Sequence, residues 1–191
     1  MNLLIDTHMN DVVIILFDSN KIIKVEKISG EKNNSTVIMP TIKKVLGDIL
    51  PESIVVVNGP GSFTGARLAV TIAKTMAFTL QIPIRTITTL ECLALSVDSE
   101  EEIVAFSDKN GYYVGIFDSN NILVGDYEYI TKIDMEEYSK KYTVYKDIDI
   151  DYERVIQFVM SKEILNPHEV NPIYTKKIDV EKWLEKQNTK I

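Results

Sequence analysis

Residues 3–23 and 103–123 repeat one another without a gap, and this self-similarity restricts the possible folds more than any other feature of the chain. Phe17-Asp18-Ser19-Asn20 returns as Phe117-Asp118-Ser119-Asn120, Asn10 as Asn110 and Ile22 as Ile122, while apolar positions mostly match apolar positions. Asp, Ser and Asn favour hairpin turns wherever they occur, so the turn alone carries little weight. The matched strand-turn-strand context around it argues for duplication. In the first copy residues 3–5, 12–17 and 22–28 read as strands, with turns at 6–11 and 18–21. That is an antiparallel meander. The expected fold is α/β, in two related lobes, 1–98 and 99–191, parted by the acidic run Asp98-Ser99-Glu100-Glu101-Glu102.

The densest local signal lies between the two copies. Residues 53–57 form a short β-branched apolar run, ended by Asn58-Gly59-Pro60-Gly61, and a helix follows through Leu80 with Ser62 or Thr64 as its cap. A glycine-rich loop opening a helix presents backbone N–H groups at the positive end of the helix dipole, a common way to hold a phosphate or carboxylate. The candidate residues are Gly59, Gly61, Ser62, Thr64, Gly65 and Arg67, with Asp6 and Thr7 of the first hairpin beside them to position phosphate oxygens. The spacing matches neither nucleotide fingerprint: no Lys-Ser/Thr follows Gly65, and the glycines space as G-x-G-x-x-x-G. Two readings therefore stand side by side. The glycines hold an anion, or they let loop, strand and helix approach closely.

The helix after this loop has two apolar faces. Ala66, Ala69, Val70, Ala73 and Ala77 make a small-residue stripe, and Leu68, Ile72, Met76 and Leu80 a bulkier one. A sheet covers one; a further helix of the chain or a partner protein must cover the other. Elsewhere, residues 35–50 read as a helix in which Pro40 predicts a kink or a broken first turn, and 82–87 as a strand. Thr88 with Glu91 fits a capping box. In the second half 128–130 and 142–145 read as short strands around a helix near 135–140. Asp151 caps an amphipathic helix through Ile164, residues 172–177 look extended, and a last helix over 180–187 carries Trp183. The second lobe is reduced.

Composition excludes several classes. With 21 Lys and Arg against 28 Asp and Glu the net charge is −7, and arginine occurs only at 67, 85 and 154. A stand-alone grip on nucleic acid needs clustered cations, so an RNA-related role would run through a partner. Cys92 is the sole cysteine, which excludes an internal disulfide and suits a reducing compartment, the cytosol. The first residues contain no basic segment and no long apolar run, so neither a signal peptide nor a membrane span is expected. His8 and His168 are the only histidines, and neither has a second ligand at metal-site spacing; His8 reads as a turn residue. A Ser62–His8–Asp6 triad lacks the G-x-S-x-G elbow. The second-lobe counterparts of Asp6 and Thr7 are Phe106 and Ser107, with Asp108 able to stand in for the carboxylate.

Two meander lobes with an Asp at the first hairpin resemble the actin, sugar-kinase and Hsp70 superfamily (the ASKHA, ribonuclease H-like fold), in which mixed sheets are flanked by helices. Within it the chain is most similar to the TsaB (YeaZ) family of tRNA threonylcarbamoyladenosine biosynthesis. Leu4-Ile5-Asp6-Thr7, the block from Gly59 through Leu68, Thr89-Leu90-Glu91 and Pro172-Ile173-Tyr174 carry the resemblance. It implies a subunit with no catalytic residues, metal or cofactor of its own, paired with a TsaD-type catalytic subunit that carries ATP and metal, and working with a TsaE-type ATPase. The tRNA would be met only through that complex, and the chain alone could form a homodimer. Pairing in the family uses a helical face of the first lobe, here assigned to Ala66, Ala69, Val70, Ala73 and Ala77 beside the 35–50 helix.

The chain departs from the family at Asn34-Ser35, at Ser107-Asp108-Lys109 and at Thr175-Lys176. The first two of these changes are tolerable in a scaffold and troubling in an enzyme. The rival reading is a small ATP-dependent phosphotransferase of the same superfamily, which an adenosine-binding Gly-Gly turn would favour; Gly111, Gly115 and Gly125 are isolated. A peptidase reading lacks metal-site histidines.

Overall fold

The computed structural model describes residues 1–8, 11–30, 34–98 and 101–175. The helix expected over 180–187, with Trp183, lies outside them. Strands β1 (Asn2–Asp6), β2 (Val12–Asp18) and β3 (Lys21–Ile28) form the antiparallel meander. Helix α1 (Asn34–Leu46), β4 (Ser53–Val57), α2 (Phe63–Leu80), β5 (Ile84–Ile87) and α3 (Thr89–Ala94) follow. The second half repeats the scheme with β6 (Glu101–Ser107), β7 (Gly111–Asp118), β8 (Glu128–Thr131), α4 (Lys132–Lys141), β9 (Val144–Lys146) and α5 (Tyr152–Val159).

One sheet runs β3-β2-β1-β4-β5 and the other β8-β7-β6-β9. Their meanders share a register. Leu3 pairs with Leu16 and Ile5 with Ile14 in the first sheet, and Ile103 pairs with Ile116 and Ala105 with Val114 in the second. Every one of these partners is 100 positions from its counterpart. β4 lies parallel to β1, as β9 does to β6, each after a helical crossover.

β1, β2 and β4 are almost continuously apolar because their sheet is covered on both sides. One face carries α1 and α2: Leu3, Ile5, Ile14, Ile54 and Val56 meet Ile38, Ile42, Ala69, Val70 and Ala73. The other carries Cys92 of α3 and Val155, Ile156 and Val159 of α5. Helix α3 also turns Leu90, Leu93 and Ala94 onto Val104, Phe106 and Phe117 of the second sheet. Its six residues thus serve two cores at once, and the Thr88–Glu91 capping box fixes where they start.

Three expectations shift. The stripe assigned to a partner, Ala66, Ala69, Val70, Ala73 and Ala77, is at most 2% exposed and packs within the chain's own core. Small side chains let α2 lie close on the sheet, and the bulkier Leu68, Ile72 and Met76 pack at the margin of the same core. The first helix stops at Leu46 rather than Leu50, because Gly47 takes a left-handed conformation (φ +57°) and donates to the Lys43 carbonyl; it runs through Pro40, which lies on its exposed side. Helix α5 ends at Val159, short of Ile164, so that the chain can turn and Leu165 can donate to the Ile84 carbonyl at the edge of β5.

Candidate functional site

The C-terminal end of β1, the loop before α2 and the returning segment near residue 173 meet at one junction. Asp6, the last residue of β1, is 1% exposed. One carboxylate oxygen accepts the His8 backbone N–H at 3.0 Å and bonds His8 Nδ1; the other accepts the Tyr152 hydroxyl at 2.7 Å, tying α5 to the first hairpin. Burial alone would push the Asp6 carboxyl up, but His8 and the Tyr152 hydroxyl outweigh it and hold the pKa below the ordinary carboxylate value. Burial, then the Asp6 charge, pushes the Tyr152 hydroxyl far upward. At neutral pH the junction therefore contains an ionised Asp6 and a neutral Tyr152.

The glycines sit where backbone meets backbone. A Cβ on Gly61 would lie 2.3 Å from the His8 carbonyl oxygen, one on Gly65 2.3 Å from that of Thr7, and one on Gly59 2.9 Å from that of Ile173. Thr7, fully buried, donates its hydroxyl to the Gly65 carbonyl at 2.7 Å. Of the two readings of the loop, these contacts describe close packing.

The expected phosphate cradle is corrected accordingly. Asp6, Thr7, Gly59, Gly61, Ser62 and Gly65 do come together, yet two of the amides an anion would use, those of Ser62 and Gly65, have partners in the chain. Ser62 N–H donates to the His8 carbonyl at 2.8 Å, and Gly65 N–H to Ser62 Oγ at 3.2 Å, the helix cap. Thr64 lies exposed on the first turn of α2. Arg67 turns elsewhere: its guanidinium stacks 4.2 Å over Phe63, and Nε donates to the Tyr174 hydroxyl at 2.8 Å. The Ile173 N–H donates to the Asn58 carbonyl at 2.8 Å, so the Pro172-Ile173-Tyr174 motif is a strap across the start of α2.

A Ser62–His8–Asp6 triad is not assembled. Ser62 Oγ is engaged as the cap, and His8 Nε2, buried, has no hydrogen-bond partner among the described residues. His8 is the residue that sequence reasoning undervalued, and its spacing two residues from Asp6 in one tight turn is the signal that could have found it. Asp108, expected to stand in for Asp6 in the second lobe, is only partly buried and accepts from Tyr129 at 3.1 Å.

A cleft of about 1060 Å³ opens between the sheets. His8, Ser62 and Phe63 line it on one side; Phe106, Ser107, Asp108 and Tyr113 do so on the other. Among the described residues no group of three or more His, Cys, Asp or Glu is placed to hold a metal, and no helix is long and apolar enough to cross a membrane.

A family model for TsaD, tRNA N6-adenosine threonylcarbamoyltransferase, matches residues 28–122. The chain is 35% identical over 130 residues to the tRNA threonylcarbamoyladenosine biosynthesis protein TsaB of Bacillus subtilis (strain 168), a match covering 64% of this chain and 57% of that protein. It is 32% identical over 132 residues to the TsaB protein of Buchnera aphidicola subsp. Schizaphis graminum, covering 64% of this chain and 62% of that one. The matched stretch thus spans somewhat more than half the length of these curated relatives. Among solved structures, YeaZ from Pseudomonas aeruginosa superposes with a TM-score of 0.72 at 17% identity over 91% of this chain and 98% of its own. A second structure, described as similar to peptidase YeaZ from Pseudomonas aeruginosa, gives 0.75 at 16%, covering 92% and 99%. Both share the fold.

Proposed function

We propose, from its likeness to the TsaB proteins of Bacillus subtilis and Buchnera aphidicola, that this chain belongs to the TsaB (YeaZ) family and is a non-catalytic subunit in tRNA N6-threonylcarbamoyladenosine synthesis that binds and supports a TsaD-type catalytic partner. One observation carries the non-catalytic part: the Asp6 carboxylate, which a phosphotransferase of this superfamily would need open to phosphate, is 1% exposed and bonded by His8 and Tyr152 of the same chain. The occupied Ser62 and Gly65 amides of the α2 loop support the same reading. With the alanine stripe of α2 in the core, the partner surface moves to the outer faces of α1 and α2, where Met39 and Phe78 are 49% and 60% exposed. Exposed apolar side chains on neighbouring helices are a common basis for docking. TsaE-type ATPase and tRNA then join through the complex, and a homodimer would use this surface when the partner is absent.

The test is nucleoside mass spectrometry of bulk tRNA from cells depleted of this protein and complemented with variants. Loss of threonylcarbamoyladenosine, restored by Asp6→Asn and not by Met39→Glu, is the expected result. Asp6→Asn keeps the shape of the side chain and removes the charge a kinase would require. Failure of Asp6→Asn to restore the nucleoside, with ATP turnover by the isolated wild-type chain, would establish the phosphotransferase instead.

A further inference from the structure

We infer that the free edge of β3 binds a second copy of this chain, the two strands running antiparallel about a two-fold axis at Val25 and joining two five-stranded sheets into one. This does not depend on a TsaD-type partner, which the outer faces of α1 and α2 are proposed to receive. An uncovered strand edge is a template for another chain, and folded proteins usually shorten it, cover it or break it. The other sheet edges follow that rule: Leu165 bridges to Ile84 on β5, and β8 and β9 are short. β3 has eight residues, contains no proline and pairs only with β2 among the described residues. On it Ile23 and Val25 stand 49% and 51% exposed. Lysines commonly guard such an edge. Here Lys24 is bonded to the Lys44 carbonyl and Lys27 to Asp11 at 3.1 Å, so both are held to their own chain.

The strand is complementary to itself in one register. Alternate residues of a strand turn N–H and C=O outward, so a two-fold pair must centre on a residue that faces its own counterpart. Centring on Lys24, Glu26 or Lys27 sets like charges against each other, and centring nearer an end leaves much of the strand outside the ladder. Centred on Val25, residues 22–28 pair with themselves. Ile22 then meets Ile28, and Lys24 of each copy stands opposite Glu26 of the other, a charge pair formed twice. Both side chains already lie on the α1 side of the sheet: Lys24 reaches the Lys44 carbonyl, and Glu26 accepts from Lys44 Nζ at 2.7 Å. An axis normal to the sheet keeps α1 of both copies on that side. Helix α1 packs chiefly over β2, and the two β2 strands would be three spacings, about 14 Å, apart. That leaves room for two helices, which need about 8–10 Å.

Sedimentation velocity of the full chain at low ionic strength, from about 10 μM to about 1 mM, tests this in a Met39→Glu background that disfavours association through the α1–α2 surface. We expect a concentration-dependent dimer, weakened about tenfold by Val25→Lys, which sets like charges on the axis, and about tenfold by Glu26→Lys. Adding Lys24→Glu to Glu26→Lys reverses both members of the pair and should restore association, a rescue that a role in folding alone would not produce. Val25 is half-exposed, so its variants should fold. Mild oxidation of Val25→Cys should give a disulfide-linked dimer, the native Cys92 being buried, whereas Ile23→Cys, opposite Lys27, should not. A monomer throughout the range would leave the edge to a strand of another protein and overturn the proposal. So would a dimer indifferent to Val25→Lys and Glu26→Lys, failure of the charge swap to restore it, or equal cross-linking of the two cysteine variants.

Discussion

The two meanders have one register and opposite uses for their first turn. In the first lobe the residues that end β1 and follow it are Asp6, Thr7 and His8, at most 5% exposed, and each reaches out of its own hairpin: Asp6 to Tyr152, Thr7 to Gly65, the His8 carbonyl to Ser62. At the equivalent turn of the second lobe Phe106 is buried as an ordinary core residue, while Ser107 is exposed and Asp108 partly so. Identical strand pairing therefore does not make an identical site. What distinguishes the first turn is the number of elements packed onto it, namely the α2 loop and α5. The second sheet ends in the short β9 with no counterpart of that loop among its described elements.

Removing the charged group from each turn should break the symmetry most. Asp6→Ala strips His8 Nδ1 and the Tyr152 hydroxyl of their shared partner inside the protein, and should lower stability by about 3 kcal/mol in urea titration. Asp108→Ala, at the more open turn, should stay within about 0.5 kcal/mol of wild type. Equal losses would show that the buried network adds nothing to the first lobe. The effect has a pH signature. The folded Asp6 pKa lies below its ordinary value of 3.8, so its stabilisation is complete above that value and is lost as pH falls through the lower folded value. Asp6→Asn should accordingly flatten the acid side of the stability profile. Asp98 and Asp134 are also held low, by the Arg154 and Thr131 side chains respectively, but both are fully exposed and their neutralisation should alter that slope far less.

A smaller contrast concerns the glycines. Gly65→Ala would place a methyl group 2.3 Å from the Thr7 carbonyl oxygen, and forcing the hairpin and α2 apart should lose about 3 kcal/mol. Gly125 of the second lobe has open space around it and a φ of +84°, so Gly125→Ala should lose only the left-handed conformational penalty, about 1 kcal/mol. Thermal unfolding of the two variants measures the difference. A Gly65→Ala variant as stable as Gly125→Ala would mean that the junction is loose enough to hold a ligand at the α2 amides after all.

Most of the architecture was legible because it rests on local periodicity. β4 and the Thr88–Glu91 box match the reading residue for residue, and the offset of 100 positions seen in Phe17-Asp18-Ser19-Asn20 reappears as the strand register. Helix ends were less legible: Gly47 ends α1 through a backbone conformation, and α5 stops early to let Leu165 reach β5. The site was least legible, since its parts are far apart in sequence. Tyr152 is 146 positions from Asp6 and Tyr174 is 107 from Arg67, and no spacing rule links them. The alanine stripe was recognised as a contact face but assigned to the wrong neighbour. Amphipathicity tells that a face is covered and does not tell by what.

A last contrast probes how firmly the lobes are joined. Tyr127, from the second lobe, bonds its hydroxyl to Thr88 Oγ1 at 2.9 Å, where α3 begins. Burial, and then the nearby Glu91 charge, pushes the Tyr127 hydroxyl up to about 12. Tyr127→Phe keeps the ring in the second core beside Phe117 and removes only the hydroxyl. Thr88 Oγ1 still accepts from the Glu91 N–H at 3.0 Å, so no acceptor is stranded and the loss should be about 1 kcal/mol. Its distribution matters more than its size. Because α3 contributes Cys92 to one core and Leu90 and Leu93 to the other, the two sheets should unfold in one transition and fluorescence and far-ultraviolet dichroism should shift together. A Tyr127→Phe variant whose two signals separate would show that the second lobe opens by itself, and that α3 belongs energetically to the first.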